Sequence, residues 1–472
     1  MIFTLLASEN QTVPRTGRDV FNYLGPLLHW IGTPTGILAL VIIAVGGYYC
    51  LYGKRGVELM LFVATLFGMV GFFHSIYHNN TLIPVLQSFR SICKPAYVIT
   101  IGLMAIRFII SYDSLRWSPP RKSAMTFMAL QFLFSLRLIL VAPERSFGTI
   151  LLNLMLFYGL WELLRRSITS GQDIVTYTMA LFAGGLAFYG LSLMEIVLGN
   201  IHHIVFVGRF CGISQNPQFT GEVTAILIIC ANFIIISGYS RAWQKTVALS
   251  GACFMLPFML WTGSRTAMGM CAVGLLILYR ISIRRWAVFA VVGAVTYELY
   301  THFFRHGAQA VAHLISSEND RGAAWSHGLA IFSQHPILGS AAAQSLVESS
   351  FIVILSTLGS VGLVMLVVVA YTTAREVITV FRHRSVLDPE LKKAAEFACA
   401  ILIASAAGMT FDAYLVAAAT TQAIISWFSL ALLSVAYEAV QARLTGLMSP
   451  APGTPNPPMP GFPADGALNA AR

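Results

Sequence analysis

Arginine and histidine residues stand out in this chain because they occur in short polar intervals between long apolar runs. The longest such interval contains Arg321 and His335. Arg209 and Arg265 lie in two shorter intervals, and Arg137 lies inside an apolar run near one of its ends. A guanidinium group presents a planar fork that binds phosphate oxygens in pairs, whereas imidazole accepts a proton near neutral pH. Together these residue types could bind a phosphorylated substrate and deprotonate a hydroxyl group.

The composition places these residues in a membrane protein. The chain has 472 residues, of which 57% are hydrophobic and 11% are charged, and its mean hydropathy is +0.72. Soluble domains contain about 25% charged residues, so a soluble protein is excluded. Backbone polar groups in lipid must pair within the protein, and these apolar runs lack the alternation of barrel strands. We therefore predict an all-α fold, a polytopic membrane helical bundle of about 12–13 spans.

The predicted spans are the apolar runs of membrane-spanning length. They cover about 35–53, 57–77, 92–112, 124–141, 148–164, 174–199, 219–239, 246–262, 266–282, 286–303, 351–372, 394–413 and 416–438. Residues 18–32 could be an interfacial helix or part of a further span. We predict one membrane domain over 1–446, with one large helical loop late in the chain at about 304–350. Residues 447–472 are rich in Pro, Gly and Ala, which predicts a disordered tail.

Loop charge predicts which way the bundle faces, because cytoplasmic loops are enriched in Lys and Arg. One side carries most of the basic loop residues: Lys54, Arg55, Arg116, Arg121, Lys122, Arg165, Arg166, Arg241, Lys245, Arg280, Arg284, Arg285, Arg375, Arg382, Arg384, Lys392 and Lys393. The opposite side carries Arg90, Lys94, Arg145, Arg209, Arg265, Arg305 and Arg321. The first side is predicted to be cytoplasmic, so the large loop faces outward and the C-terminal tail faces inward. These loops account for the net charge of +10, which therefore does not imply a nucleic-acid partner.

The basic residues on the outward side oppose this topology signal, so they need another reason to be there. All but one of them are Arg, which suits phosphate better than Lys does. Arg265 sits in LWTGSRTAMG between two apolar runs, where Gly263 and Ser264 would reverse the chain. This position predicts that Arg265 lies at the outer membrane surface, at the level of a lipid diphosphate headgroup. The alternative is that Arg265 is only an interfacial anchor.

Arg209 and Arg137 extend the same prediction. Arg209 lies in the outer segment VGRFCGISQNPQFTGEV, which leads into a span, and we expect it to bind an anion. Arg137 lies within an apolar run near its outer end, and an intramembrane charge is a functional candidate by default. It could instead snorkel to the interface or pair with an acid such as Glu144, Glu195 or Glu222.

The large outer loop is predicted to contain a helix that begins near Arg321. Asn319 or Asp320 could cap the start of this helix. An apolar face would be formed by Trp325, Leu329 and Phe332. The helix would lie on the surface of the bundle.

His335 follows this helix and is our candidate general base. Pro336 would end the helix, which leaves His335 at its C-terminal edge, and Leu338-Gly339 would turn the chain towards the next span. Imidazole takes up a proton near neutral pH, as a base acting on a hydroxyl group must. The other histidines of this region are expected to be surface or interface residues: His302, His306, His313 and His327.

This combination resembles the bacterial O-antigen ligase and polymerase superfamily, whose members are multi-span inner-membrane proteins with one large periplasmic loop late in the chain. The matching segments are RFCGISQNP at 209–217, Gly263-Ser264-Arg265, and Arg321 followed by Trp325 and the HPILG sequence at 335–339. The chain departs from the family where a second polar or histidine-containing motif often precedes the next span. That place reads Glu348-Ser349-Ser350 here, so no second histidine is carried over.

The resemblance implies glycosyl transfer from an undecaprenyl-diphosphate-linked glycan on the periplasmic side of the bacterial inner membrane. The first candidate is an O-antigen ligase, whose acceptor is a sugar of the lipid A core. The alternative is a polymerase, whose acceptor is another lipid-linked repeat unit. Arg265 and His335 would be catalytic, and the residues on the diphosphate would be Arg137, Arg209, Arg265 and Arg321. The outer side has no acidic cluster suited to a metal, so we expect no metal and no cofactor.

Two other interpretations stay open. A transporter or flippase for lipid-linked sugars would place cations along a midplane cavity and could show internal repeats. The sequence shows no such repeat, and its cations gather at the predicted outer end. A purely structural membrane protein would not need outward-facing arginines. The seven cysteines are scattered, mostly in apolar runs, and are predicted to pack in the core rather than bind metal.

Overall fold

The fold consists of helices that follow the apolar runs. A computed structural model describes residues 45–71, 82–112, 119–140, 143–198, 201–206, 208–214, 216–279, 321–340, 349–411 and 420–446. Of these residues, 86% are helical. Among them, six helices are long and apolar enough to cross a membrane. The chain is therefore a helical membrane protein, which confirms the predicted class.

The elements are numbered in chain order within the described ranges. The helices are α1 Gly56–Gly71, α2 Pro84–Ile110, α3 Lys122–Leu138, α4 Pro143–Ser167, α5 Gly171–Val197, α6 Pro217–Ile236, α7 Ala242–Trp261, α8 Arg265–Tyr279, α9 Arg321–Gln334, α10 Ser350–His383, α11 Pro389–Met409 and α12 Thr421–Leu444. In α4, the segment Leu156–Glu162 is π-helical. Two short strands, β1 Val205–Phe206 and β2 Arg209–Phe210, pair antiparallel.

Every predicted span that falls within the described ranges coincides with a helix, but some ends differ. α10 continues to His383 rather than ending near 372, because hydropathy marks the apolar part of a helix and not its polar extension. α12 begins at Thr421, five residues later than expected. There the Thr420 hydroxyl caps the helix by accepting from the Ala423 amide over 3.3 Å.

Several predicted features lie outside the described residues. They are the N-terminal segment 1–44, the span at 286–303, the loop residues 304–320 and 341–348, and the tail at 447–472.

The centre of the bundle is formed by α6 and α12. In the most apolar 18-residue window of each helix, 83% of α6 and 89% of α12 is buried. A helix that is apolar on all sides belongs in the interior of such a bundle. Phe233 of α6 stacks on Phe397 of α11 with 4.2 Å between ring centroids, so α11 packs directly on this centre.

The helices run alternately between two ends of the bundle. α6 and α7 are joined by residues 237–241 at one end, and α7 and α8 are joined by 262–264 at the other. The Gly238 amide donates to Glu390 Oε2 over 2.7 Å. Since Glu390 lies in the first turn of α11, that helix begins at the first end and finishes at the second.

Ion pairs mark the first end. Arg443 Nη2 lies 3.0 Å from Asp388 Oδ2, next to the start of α11. Glu438, one turn before Arg443 on α12, accepts from Arg165 over 2.8 Å and from Arg121 over 3.3 Å. We call this end, defined by Arg121, Arg165, Glu438 and Arg443, the basic end.

The opposite end carries the predicted site residues. Phe411, just after α11, stacks on Trp325 of α9 with ring centroids 6.3 Å apart. Arg137, at the end of α3, donates from Nη2 to the Gly339 carbonyl over 2.8 Å. We call this end, defined by the 262–264 turn, α9 and residues 335–340, the site end. Arg121 and Arg165, two of the described basic loop residues, thus lie at the opposite end from Arg137.

Candidate functional site

Arg265 is the first residue of α8 and is exposed. The turn before it reverses the chain as predicted, with Gly263 in the left-handed region at φ 61°. Ser264 caps α8, because its Oγ accepts from the Ala267 amide over 3.2 Å. A helix N-terminus carries a partial positive charge, so it disfavours a cation and favours an anion. Arg265 therefore adds its charge to a position that already attracts anions.

Arg209 is tied to the same turn. Its Nε donates to the Thr262 carbonyl over 2.6 Å, which joins the β1–β2 hairpin to the α7–α8 connection. The indole of Trp261 donates to the Gly208 carbonyl over 3.0 Å. Phe210 packs on Trp261 below the hairpin, with ring centroids 5.4 Å apart. The two predicted arginines thus belong to one packed unit.

The start of α6 lies against this unit. Asn216 caps α6 through its Oδ1, which accepts from the Phe219 amide over 3.0 Å. A Cβ on Gly221 would lie 2.6 Å from Thr262 Oγ1 and 3.0 Å from the Ser264 side chain. Glycine at this position therefore permits the close approach of α6 to the turn. Two helix N-termini, those of α6 and α8, consequently lie close together beside the arginines.

A third arginine of the outward set, Arg90, is buried in α2, where it is 8% exposed. It interacts electrostatically with Cys211, the residue after β2. Burial raises the pKa of the Cys211 thiol to about 12, although Arg90 acts in the opposite direction. Cys211 is therefore a protonated core thiol rather than a nucleophile.

The helix predicted in the large loop is α9. It begins at Arg321, as expected, and ends at Gln334, and the His335 amide closes its last turn by donating to the Ile331 carbonyl over 3.0 Å. His335 is exposed. The side chain of Arg321 and the capping candidates Asn319 and Asp320 lie outside the described residues.

The predicted apolar face of α9 is wrong at one position. Trp325 and Phe332 are partly buried, but Leu329 is 48% exposed. Gly328 is the buried residue between them. A residue without a side chain at that position lets the helix lie close to its neighbours, so the packed face is rotated by one residue from the prediction.

The HPILG turn that follows α9 docks into a break in α10. Gly359 has φ 64° and ψ −149°, which interrupts the helix. The freed Ser360 amide donates to the Pro336 carbonyl over 2.8 Å, and the Ser340 amide donates to the Ser356 carbonyl over 2.7 Å. Each backbone therefore supplies the partners that the other lacks.

Glycine is required on both sides of this docking. A Cβ on Gly339 would lie 2.5 Å from Thr357 C and 2.6 Å from Leu358 N. A Cβ on Gly359 would lie 2.5 Å from Ile337 C and 2.7 Å from Gly339 N. All of these are backbone atoms, which cannot move aside as a side chain could. Sequence reasoning missed Gly359, for which the only signal is a glycine inside an apolar run.

Among the described residues, Arg137 reaches this docking rather than an acid, and the side chain of Glu144, another expected partner, lies outside them. Its Nη2 donates to the Gly339 carbonyl, whereas Glu195, one of the expected partners, accepts from the Ile83 amide over 2.8 Å. The Nε of Arg137 and the Oγ1 of Thr357 are buried and have no hydrogen-bond partner in the described part of the chain. Buried polar atoms of this kind call for an explanation, and a bound ligand is one.

The structure thus places Arg137, Arg209, Arg265 and His335 in two clusters at one end of the bundle. The arginine cluster joins Arg209 to the turn that carries Arg265. The turn cluster joins Arg137 to the segment that carries His335. The clusters are linked by packing, since α8 packs on α11 and Phe411 after α11 stacks on α9. No protein-family model matches this chain, and no curated protein matches it either.

Proposed function

We propose that the chain is a membrane glycosyltransferase that transfers a glycan from undecaprenyl diphosphate to a sugar of the lipid A core, as an O-antigen ligase does. The observation that carries the proposal is the hydrogen bond from Arg209 Nε to the Thr262 carbonyl. It holds Arg209 against the turn that presents Arg265, beside two helix N-termini. Two guanidinium groups and two helix N-termini form a binding site suited to a diphosphate.

The proposed reaction is a direct displacement at the anomeric carbon. The acceptor hydroxyl oxygen forms the new bond to that carbon while the bond to the diphosphate oxygen breaks, which inverts the configuration. His335 accepts the proton of the hydroxyl group. Arg209 and Arg265 stabilise the charge that develops on the leaving undecaprenyl diphosphate.

Arg137 and Arg321 complete the proposed diphosphate site. Arg137 retains a buried Nε without a partner in the described residues, beside the turn that follows His335. Arg321 begins the helix that leads to His335. We propose that both guanidinium groups contact the donor once it is bound.

The proposal includes the finer topology. The bundle has about 12–13 spans in a bacterial inner membrane, with its basic end in the cytoplasm. The loop at about 304–350 faces the periplasm, where it meets the lipid-linked donor and the lipid A core acceptor. Neither a metal nor a cofactor takes part, since arginines neutralise the diphosphate.

The test is a transfer assay with purified protein, undecaprenyl-diphosphate-linked glycan, lipid A core and EDTA. We expect glycan on the lipid A core, and we expect Arg265→Ala to lose this product. Glycan lengthened on the lipid carrier, with none on the core, would show a polymerase instead. No transfer of either kind by folded protein would refute the proposal and favour transport.

A further inference from the structure

The HPILG turn presents an apolar surface. Ile337 is 68% exposed and Leu338 is 59% exposed. A contiguous exposed apolar patch marks a surface that a protein partner or a membrane covers. The position of the turn along α10 indicates what covers the side chains of Ile337 and Leu338.

The distance from the turn to the basic end follows from the number of residues between them along α3 and α10. The Ser123 amide donates to Glu376 Oε1 over 3.2 Å, so the start of α3 lies level with Arg375 and Glu376 of α10. Arg137 lies sixteen residues beyond Arg121, and Gly359 lies sixteen residues before Arg375. Arg137 and Gly359 therefore lie about 24 Å from the level of Arg121 and Arg375, at 1.5 Å per residue.

This distance is shorter than the thickness of the apolar layer of a membrane. That layer is about 30 Å thick, and Arg121 and Arg375, where α3 and α10 reach the basic end, mark one of its surfaces. Arg137 and Gly359 then lie about 6 Å inside the opposite surface. Because Gly339 contacts both of these residues, the turn lies at this depth as well.

Five backbone groups of the turn are paired as such a place requires. Irregular backbone is tolerated in the apolar layer only when its polar groups are paired. The carbonyl of Pro336 accepts from Ser360, that of Ile337 accepts from Val361, and that of Gly339 accepts from Arg137. The amides of Gly339 and Ser340 donate to His335 and Ser356.

The side chains of the turn continue an apolar surface of α10. Ile337 is joined to Val361 by a backbone hydrogen bond of 3.4 Å. Val361 and Val364 are 38% and 60% exposed, and they lie on a helix with the length and composition of a membrane span. Ile337 and Leu338 therefore extend a surface that lipid covers.

We propose that the HPILG turn is inserted in the membrane, with Ile337 and Leu338 in contact with the acyl chains of the leaflet at the site end. His335 then stands at the level of the lipid headgroups. Given the proposed function, which this last step assumes, the base meets its substrate at the depth where a lipid-linked diphosphate lies.

The experiment measures depth with spin labels on the full-length protein in liposomes of phosphatidylethanolamine and phosphatidylglycerol. Cys253 is the exposed cysteine of the described residues, so Cys253→Ser provides the background. Labels are placed through Ile337→Cys and Leu338→Cys. Val364→Cys is the lipid reference, and Thr445→Cys, exposed beyond α12 at the basic end, is the water reference.

The readout is a ratio for each spin label: its collision rate with oxygen divided by its collision rate with a water-soluble nickel chelate. We expect labels at 337 and 338 to favour oxygen as the label at 364 does, at a depth below the lipid phosphates. A ratio like that at 445 would overturn the proposal. Low collision rates with both reagents would also overturn it, because protein would then cover the turn.

The measurement does not depend on transfer activity, so it separates this proposal from the proposed function. Both labelled side chains are exposed, so the labels do not disturb packing, and gel filtration before reconstitution checks the fold. An inserted turn in a protein without transfer activity would refute the function alone.

Discussion

A cation at the first residue of a helix opposes the helix dipole, and Arg265 of α8 is in this position. Such a placement costs a little stability unless an anion is present to offset it. Arg209 adds a second guanidinium, whose Nε is held by the Thr262 carbonyl. The proposed function assigns an anionic ligand, the donor diphosphate, to these two guanidinium groups.

The first prediction concerns Arg265. We expect Arg265→Ala to lower kcat for glycan transfer by about 10²–10³-fold, the usual loss on removing one donor to a developing charge. Arg265→Lys should recover part of this loss, because it keeps the charge but not the planar fork. Steady-state kinetics with EDTA present would measure both.

The matched control for Arg265 is Arg375→Ala, an exposed arginine at the basic end. Its kinetics should equal those of the unchanged protein. Exposed substitutions of this kind shift stability by no more than about 0.5 kcal/mol. Equal activity of Arg265→Ala and Arg375→Ala would remove Arg265 from the site.

The second prediction concerns His335. We expect His335→Ala to lower kcat by about 10²–10⁴-fold, which is the usual contribution of a general base. His327 is exposed on the same helix, and His327→Ala should leave kcat unchanged. Full transfer by His335→Ala would exclude the imidazole as the base while leaving the arginine cluster untested.

At the scale of elements, the docking of the HPILG turn on α10 fixes the end of α9. The break at Gly359 exposes backbone groups, and the turn supplies their partners. The docking involves backbone atoms on both sides, so it defines the position of the turn closely. The docking also fixes the position of His335, because this residue lies between the end of α9 and the docked turn.

The third prediction tests the docking. Gly359→Ala or Gly339→Ala should each lower the free energy of unfolding by at least about 2 kcal/mol, because a Cβ is strained at positive φ and meets backbone atoms. Gly322→Ala is the control, since a Cβ at Gly322 of α9 meets nothing within 4 Å. Thermal unfolding in detergent would measure all three, and equal stability of all three would contradict the docking.

The fourth prediction concerns Arg137, which joins α3 to the turn. Arg137→Ala leaves the Gly339 carbonyl without its donor, which should cost about 1–3 kcal/mol of stability. If Arg137 also binds the donor diphosphate, transfer by the remaining folded protein should fall by more than the folded fraction does. A loss of activity equal to the loss of folded protein would assign Arg137 a structural role alone.

At the scale of the whole molecule, charge is distributed between two ends. Arg121 and Arg165 share Glu438 at the basic end, whereas Arg265 and Arg137 lie at the site end. By the positive-inside rule we expect the basic end in the cytoplasm. The site end would then face outward, which is the side that the proposed function requires.

The fifth prediction is this orientation. In the Cys253→Ser background, Ser326→Cys on α9 should react with an impermeant maleimide in intact cells. Thr445→Cys should react only in inverted vesicles, since it lies beyond α12 at the basic end. Labelling of both from the same side would contradict the separation of the two ends.

The sequence predicted the helices well because membrane-spanning helices are defined by local hydropathy. The predicted runs at 174–199 and 219–239 differ from α5 and α6 by only a few residues at each end. The turn at Gly263 and the end of α9 before Pro336 were also predicted, since both depend on the local preferences of Gly and Pro. The predicted face of α9 was wrong at Leu329, because packing against distant segments decides which face is buried.

The sequence by itself determined the class of protein, the run of helices and the separation of charge between two ends. These follow from composition and from neighbours along the chain. Only the tertiary structure decided the partners: Arg209 with the Thr262 carbonyl, Arg137 with the Gly339 carbonyl, and the HPILG turn with the break at Gly359. Each of these contacts joins backbone carbonyls or amides to residues far away in the chain. Backbone groups are the same in every residue, so no side-chain pattern in the sequence identifies such partners.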